Sequence, residues 1–372
     1  MSDNTCDVTI IGAGPAGATA AILLAGSGRS VALVDRAKLP RPVPCGGWLT
    51  PHVAPLLANL GVDTKKLLAR PFRDPTFHSA DFSKRAEPQF DDAVGYLVDR
   101  PEFDHALVKA ATKSGATLHE ESLVVDIHLR ESSVDVVLDG GRTITSRLLL
   151  LASGRDSELL DRTGFSTHPG ETPIYVAQVE GAVPSAKATD ESRVAVVLGL
   201  DGGPSFAFCS CSNGRVRVNV SWMRDRFEVV PLLERICRAA FENDLVPIDL
   251  TKQAGSASVI RSPASAALDM DTHVGKHTLL IGDAGGFVSA ASNEGVYPAM
   301  WSAHLAVKVL ESALDSKVSQ DELMTFDTTW RMEMVDYLRS PHTDVRFLIP
   351  LVFTNQPMAD RMGAAFFFGE NI

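Results

Sequence analysis

The sequence predicts an α/β protein: a parallel sheet with helices, an antiparallel β-sheet lobe, and a helical C-terminal region. Three observations predict this. A β-branched run, Val8-Thr9-Ile10-Ile11, ends in the glycine cluster GAGPAG. A second apolar run, Leu279-Leu280-Ile281, ends far down the chain in Gly282-Asp283-Ala284-Gly285-Gly286. Between about 172 and 260 the pattern changes to short strands separated by turn residues.

The length of 372 residues exceeds one comfortable core, so a large domain with an inserted lobe, or two domains, is expected. At 45% hydrophobic and 22% charged the composition is globular. The formal charge is −11, and no basic run stands out. Nucleic acid is therefore excluded as a partner, as is purely electrostatic docking on anionic lipid. Five scattered cysteines, an odd number, suit a reducing, cytoplasmic setting. Cys209 and Cys211 form a C-x-C without further ligands at metal spacing, so alternating strand positions are expected and no metal. The start MSDNTCDVTI is acidic and polar and does not read as a signal peptide. The apolar run from Val8 to Ala25 is broken by Gly12, Gly14, Pro15 and Gly17, so no membrane span is read there.

The first strand is uncharged and β-branched, as buried parallel strands are. Gly12, Gly14 and Gly17 have the G-x-G-x-x-G spacing, with Ala13, Pro15 and Ala16 between them. A helical run follows until Gly26 and Gly28, then a second strand, Ser30-Val31-Ala32-Leu33-Val34, ending in Asp35. Strand, glycines, helix, strand and terminal acid together are a Rossmann-like dinucleotide fingerprint. Gly12 makes the turn, Gly14 lets a pyrophosphate approach backbone, and Gly17 lets helix pack on strand. The helix N-terminus offers N–H groups and positive potential to phosphates. Asp35 accepts from a ribose diol, and Arg36 beside it leaves a 2′-phosphate formally open.

The fingerprint does not separate FAD from NAD; the distal segment does. Asp283 stands at the carboxyl end of a strand, where it can bond a polyol such as ribityl. Asn293-Glu294-Gly295-Val296 begins a helix expected from about Pro298 to Leu310, whose N–H groups at Gly295 and Val296 can stabilise charge on a reduced ring. Gly286, in the same turn as Asp283, is counted with the cofactor positions.

GAGPAG with Asp35-Arg36, GDAGGF with NEGV, and Arg100 in VDRPEFDHAL resemble the group A FAD-dependent oxidoreductases, with a glutathione-reductase-type FAD domain. That superfamily includes aromatic-ring hydroxylases, flavin-dependent halogenases and geranylgeranyl reductases. Leu151-Ala152-Ser153-Gly154-Arg155-Asp156-Ser157 resembles its middle motif. The resemblance implies non-covalent FAD, with Asp35 on the adenosine ribose, Asp283 on the ribityl chain, and Arg100 near flavin and pyrophosphate. It also implies that the Val124 backbone meets adenine. The implied FAD domain is residues 1–80, 95–172 and 261–312. A substrate-binding sheet at 81–94 and 173–260 would cover the ring, and 313–372 would be helical.

Within the sheet lobe, Ile174–Val179, Val194–Leu198 and Val216–Val220 read as antiparallel strands, with Gly202-Gly203-Pro204 and Asn213-Gly214 at turns. No second nucleotide fingerprint occurs there, so NAD(P)H or another redox protein is expected to deliver electrons transiently.

The stretch PVPCGGWLTP, 42–51, resembles the CGG loop of the geranylgeranyl reductases, which lies against the flavin. Gly46 and Gly47 would let backbone pass close to the ring. The thiol of Cys45 can give a proton to carbon, or it simply shapes the pocket. The reductases' Y-x-W-x-F-P strand is here Pro204-Ser205-Phe206-Ala207-Phe208-Cys209, which keeps aromatics at Phe206 and Phe208 only. The halogenase W-x-W-x-I-P is absent. Trp48, Phe206 and Phe208 are the candidate substrate-binding residues. The apolar stretches 345–353 and 364–368 read either as a helical cover over a tunnel, with possible peripheral membrane or carrier-protein contact, or as aromatic core. His52 and His105 read as structural, and Asp91-Asp92 and Glu120-Glu121 as solvated loop charge.

The favoured activity is hydride transfer between reduced flavin and a carbon–carbon double bond of an apolar, lipid-like or carrier-bound substrate, or the reverse dehydrogenation. Alternatives are a flavin monooxygenase, a halogenase, and a flavin-bearing carrier module.

Overall fold

A computed structural model describes residues 5–43, 45–155, 157–165, 174–185, 192–264, 266–317, 319–339 and 343–370. Pro44, Asp156, the side chain of Ser157 and the expected boundary at 172/173 lie outside the described residues.

The strand Thr5–Ile11, uncharged from Val8 onward, lies at the centre of an eight-stranded sheet. It pairs in parallel with Val31–Val34 on one side and Thr143–Leu151 on the other. Thr117–His119 and Thr278–Leu280 extend the parallel array at its two sides. Period-two alternation sends successive side chains to opposite faces. Val8, Ile10, Leu148 and Leu150 enter a core with the helices Pro15–Gly26, Arg100–Ser114, Val296–Asp315 and Ser319–Leu338. Ile11, Val34, Leu149 and Leu151 enter another core, under the antiparallel pair Val124–Leu129 and Val134–Leu138. Fully burying each Leu or Ile contributes about 1.5–3 kcal/mol, so both faces of this sheet are strongly specified.

The lobe is a seven-stranded sheet containing Ile174–Ala182, Arg193–Leu198, Phe206–Ser212 and Arg215–Trp222. Its strands are antiparallel except where Arg193–Leu198 meets Thr76–Ser79 in parallel. Thr76–Ser79 and Arg85–Ala86 pair with each other across the expected boundary at 80/81. The first of them therefore joins the lobe sheet, because its Phe77 is fully buried in the lobe's aromatic core.

Cys209 and Cys211, two apart on one strand, share a face and pack with Cys237 behind this sheet. On the opposite face, Phe206 and Phe208 meet Trp48, Phe366 and Phe367. The run 364–368 thus lies in the helix Gln356–Phe368 and supplies core through Phe366 and Phe367, which are 3% and 0% exposed. Phe347, on the preceding helix Val345–Val352, is 74% exposed. Among the described residues no helix is long and apolar enough to cross a membrane.

Candidate active site

A cavity of about 900 Å³ runs between the carboxyl ends of the parallel strands and the inner face of the lobe sheet. It is within the size range of cofactor and ligand pockets. Gly12, with φ +103°, opens its turn; a Cβ there would meet the Ala152 carbonyl oxygen at 2.1 Å. A Cβ on Gly17 would lie 1.8 Å from the Gly12 oxygen, so this glycine sets the helix–strand approach. Gly14 faces open space, with only the Arg41 guanidinium 4.0 Å from a Cβ built there. It is also the N-cap of Pro15–Gly26 and carries no capping side chain, so the first helical N–H groups remain for a ligand.

Asp35 is buried on the same wall. One carboxylate oxygen accepts from Ala13 N–H at 2.9 Å, the other from Ala37 N–H at 2.9 Å, and Arg41 lies at 3.5 Å. Oδ1, which takes Ala37 N–H, keeps a lone pair for a ribose hydroxyl, whereas Oδ2 takes both Ala13 N–H and Arg41. Arg36, Val124 and Asp283 also line the cavity.

The donor set fits FAD. An acid stands ready for a diol, and bare helix N–H groups with Arg41 face the place for a diphosphate. A Cβ on Gly14 would protrude into that open space, and Asp283 is a second acid on the cavity wall.

At the other end of the cavity lie Cys45, Gly46, Trp48 and Arg100. Gly47 is required by its positive φ and a close backbone neighbour, whereas at Gly46 the near atom is the end of a side chain. A Cβ on Gly46 would meet Asn219 Nδ2 at 2.4 Å, and one on Gly47, φ +74°, would meet Arg217 at 2.5 Å. Gly47 N–H points at the Cys45 sulfur, 3.4 Å away. Arg100, at the start of its helix, forks onto Asp104 one turn later, with Nε–Oδ1 3.0 Å and a second contact of 3.2 Å. Burial works against the Arg100 charge. The Asp104 carboxylate, and then the Cys45 sulfur, outweigh it and hold the guanidinium protonated. Trp48 stacks on Phe208 with centroids 5.8 Å apart, so the apolar floor is a flat aromatic surface next to the thiol.

Three expected cofactor contacts lie behind the wall. Ala13 is fully buried and gives its N–H to Asp35. Gly17 is spent on helix packing, and Gly286, φ +70°, turns against the Ala266–Ala267 backbone, where a Cβ would meet Ala267 N at 2.4 Å. Gly12, Gly14, Pro15, Ala16, Gly295 and Val296 line the cavity, as do Phe206 and Phe208.

The helix at Gly295 and Val296 starts as expected but spans Val296–Asp315, and its first N–H groups are turned elsewhere. Tyr297 N–H donates to the Glu294 carboxyl at 2.9 Å, Val296 N–H acts on the same group, and Tyr337 O–H donates at 3.1 Å. Glu294 is 3% exposed and faces the cavity. The motif NEGV gave this acid no role in the sequence reading; its signal is an acid directly before an apolar helix. Asp104, Arg41 and Asn219 were also missed. Asp104 could have been found as the acid four residues after Arg100.

Burial, working against those donors and the Arg100 charge, pushes Glu294 up to about 7 from an ordinary 4.5. The folded state then keeps a proton that the unfolded chain has released. Its stabilising effect is full below about pH 4.5 and declines as pH rises through about 7, by on the order of 3 kcal/mol at 1.4 kcal/mol per pH unit. Flavin-free Glu294→Gln should therefore exceed wild type in urea midpoint at about pH 8.5 and match it at about pH 4.5. A gap that does not shrink on acidification refutes a buried titrating acid.

A family model described as FAD binding domain matches residues 5–334. The chain is 29% identical over 327 residues to menaquinone reductase of Mycobacterium tuberculosis, covering 83% of this chain and 78% of that one. A geranylgeranyl bacteriochlorophyll reductase-like protein from Thermoplasma acidophilum superposes with TM-score 0.73 at 16% identity, over 97% of this chain and 88% of that one. A triple mutant of a flavin-dependent brominase superposes with TM-score 0.71 at 18% identity, over 97% and 95%. The two superpositions show a shared fold, which by itself does not choose between their chemistries.

Proposed function

The chain belongs to the FAD binding domain family and is an FAD-dependent oxidoreductase; from that premise we propose that it reduces a carbon–carbon double bond in an apolar, isoprenoid-type substrate. The observation that carries the reading is Cys45, held on the cavity wall between bare glycine backbone and Arg100 and beside the Trp48–Phe208 surface. The names of the mycobacterial and Thermoplasma relatives support the substrate class.

FAD, when bound, supplies the hydride chemistry. Cys45 Sγ–H gives the proton to the second carbon, and Gly47 N–H and Arg100 steady the sulfur that remains. Trp48, Phe206 and Phe208 hold the apolar part of the substrate and exclude water. NAD(P)H or another redox protein delivers the electrons from outside the cavity.

The test is to mix the FAD-loaded, reduced chain with a short-chain menaquinone and weigh the product. A gain of two hydrogens in the side chain supports the proposal; an oxygenated or unchanged side chain overturns it. Cys45→Ala should bind FAD as wild type does and turn over about 100-fold more slowly. Unchanged turnover makes the thiol pocket lining.

A further inference from the structure

The N-terminus of helix Val296–Asp315 is the place where negative charge on a reduced ring would be stabilised, yet a carboxyl of the chain already occupies it. Glu294 takes the Tyr297 N–H and the Tyr337 hydroxyl, and Val296 N–H acts on it too. The nearby cation, Arg100, is already forked onto Asp104 and shared with the Cys45 sulfur. Asp283 is close as well: a Cβ on Gly295 would lie 3.4 Å from its Oδ1. From the surrounding helices Tyr337 faces the carboxyl and is held protonated by burial, while Tyr297 is raised by burial, by Glu294 and by Glu333. One guanidinium thus serves two carboxyls and a sulfur on one wall of the cavity. Further negative charge there has no free cation among these groups to meet it.

We propose that Glu294 is the proton-holding residue of the site, taking up a proton on its carboxylate when bound FAD is reduced. Two electrons and one proton leave the reduced cofactor with one negative charge. A second proton, taken from solvent by a Glu294 carboxylate oxygen, restores the charge of the cavity. This carboxyl, pushed up by burial to about 7, is still largely ionised at pH 8 before reduction and so able to accept. The inference rests on the FAD reading of the cavity, not on the identity of the substrate.

The experiment is to count protons taken up per two electrons when the FAD-loaded full chain is reduced with dithionite at about pH 8, using an indicator dye corrected for the protons of dithionite oxidation. Wild type should take up about two and Glu294→Gln about one, a twofold difference. A proton bound by the ring itself gives equal counts in both proteins, and equal counts overturn the proposal. Tyr337→Phe keeps the acid but removes a donor that favours its ionised form, so it should keep the second proton when both proteins are counted at about pH 9. Loss of that proton in both variants means that packing sets the count, and also overturns the proposal. FAD binding is measured first by flavin fluorescence. A wild type that binds none overturns both this inference and the reading it rests on, whereas normal binding with equal counts overturns this one alone.

Discussion

Gly12→Ala should purify without flavin and melt well below wild type. The new Cβ would lie 2.1 Å from the Ala152 carbonyl oxygen and 2.7 Å from its carbon. Both are backbone atoms just past the end of the strand Thr143–Leu151, so no side-chain rotamer relieves the clash. The φ of +103° is itself unfavourable for alanine. The loop must move, and with it the N-terminus of Pro15–Gly26 and the Ala13 N–H that holds Asp35. Loss of at least about 100-fold in FAD affinity, or about 2.7 kcal/mol, is expected by fluorescence titration. Gly14→Ala is the control that separates folding from binding. Its Cβ meets nothing nearer than Arg41 at 4.0 Å, so thermal stability should be kept while the methyl occupies the diphosphate cradle. Full affinity in Gly14→Ala would mean that the cradle is drawn in the wrong place.

Arg100→Leu should be the most destabilising change at the other end of the cavity. Asp104 is 1% exposed, and its carboxylate is held by both arms of the guanidinium. Removing one partner of such a buried pair costs about 3–5 kcal/mol, because the remaining charge is left without compensation. The urea midpoint should fall accordingly. The double variant Arg100→Leu, Asp104→Leu should recover much of the loss, since neither charge is then stranded. If the single and double variants unfold alike, the pair is not what holds this helix start. FAD-loaded single variant should also turn over more slowly, because the Cys45 sulfur loses its neighbouring cation.

The nucleotide end of the molecule was legible because its signals are local. An uncharged β-branched run, a positive-φ glycine and an acid at a strand end each fix backbone conformation within a few residues. The strands of the lobe were legible for the same reason, and so was the cysteine–glycine loop. The boundary at 80/81 was not, because Thr76–Ser79 finds its partner at Arg193–Leu198, more than a hundred residues away. The C-terminal aromatics read equally well as cover or core. Only their contacts, stacked on Trp48 and edge-on to Phe206, assign Phe366 to core.

By itself, then, the chain's order of residues determined the α/β class, the turn that cradles a dinucleotide, and the presence of a thiol beside bare backbone. Tertiary structure alone decided which charges share the cavity: Glu294 with Tyr337, Arg100 with Cys45, and Asn219 over Gly46. The reason is physical. Backbone geometry is set by neighbours along the chain, whereas burial and electrostatic pairing depend on groups that only the folded sheet and helices bring within a few ångströms.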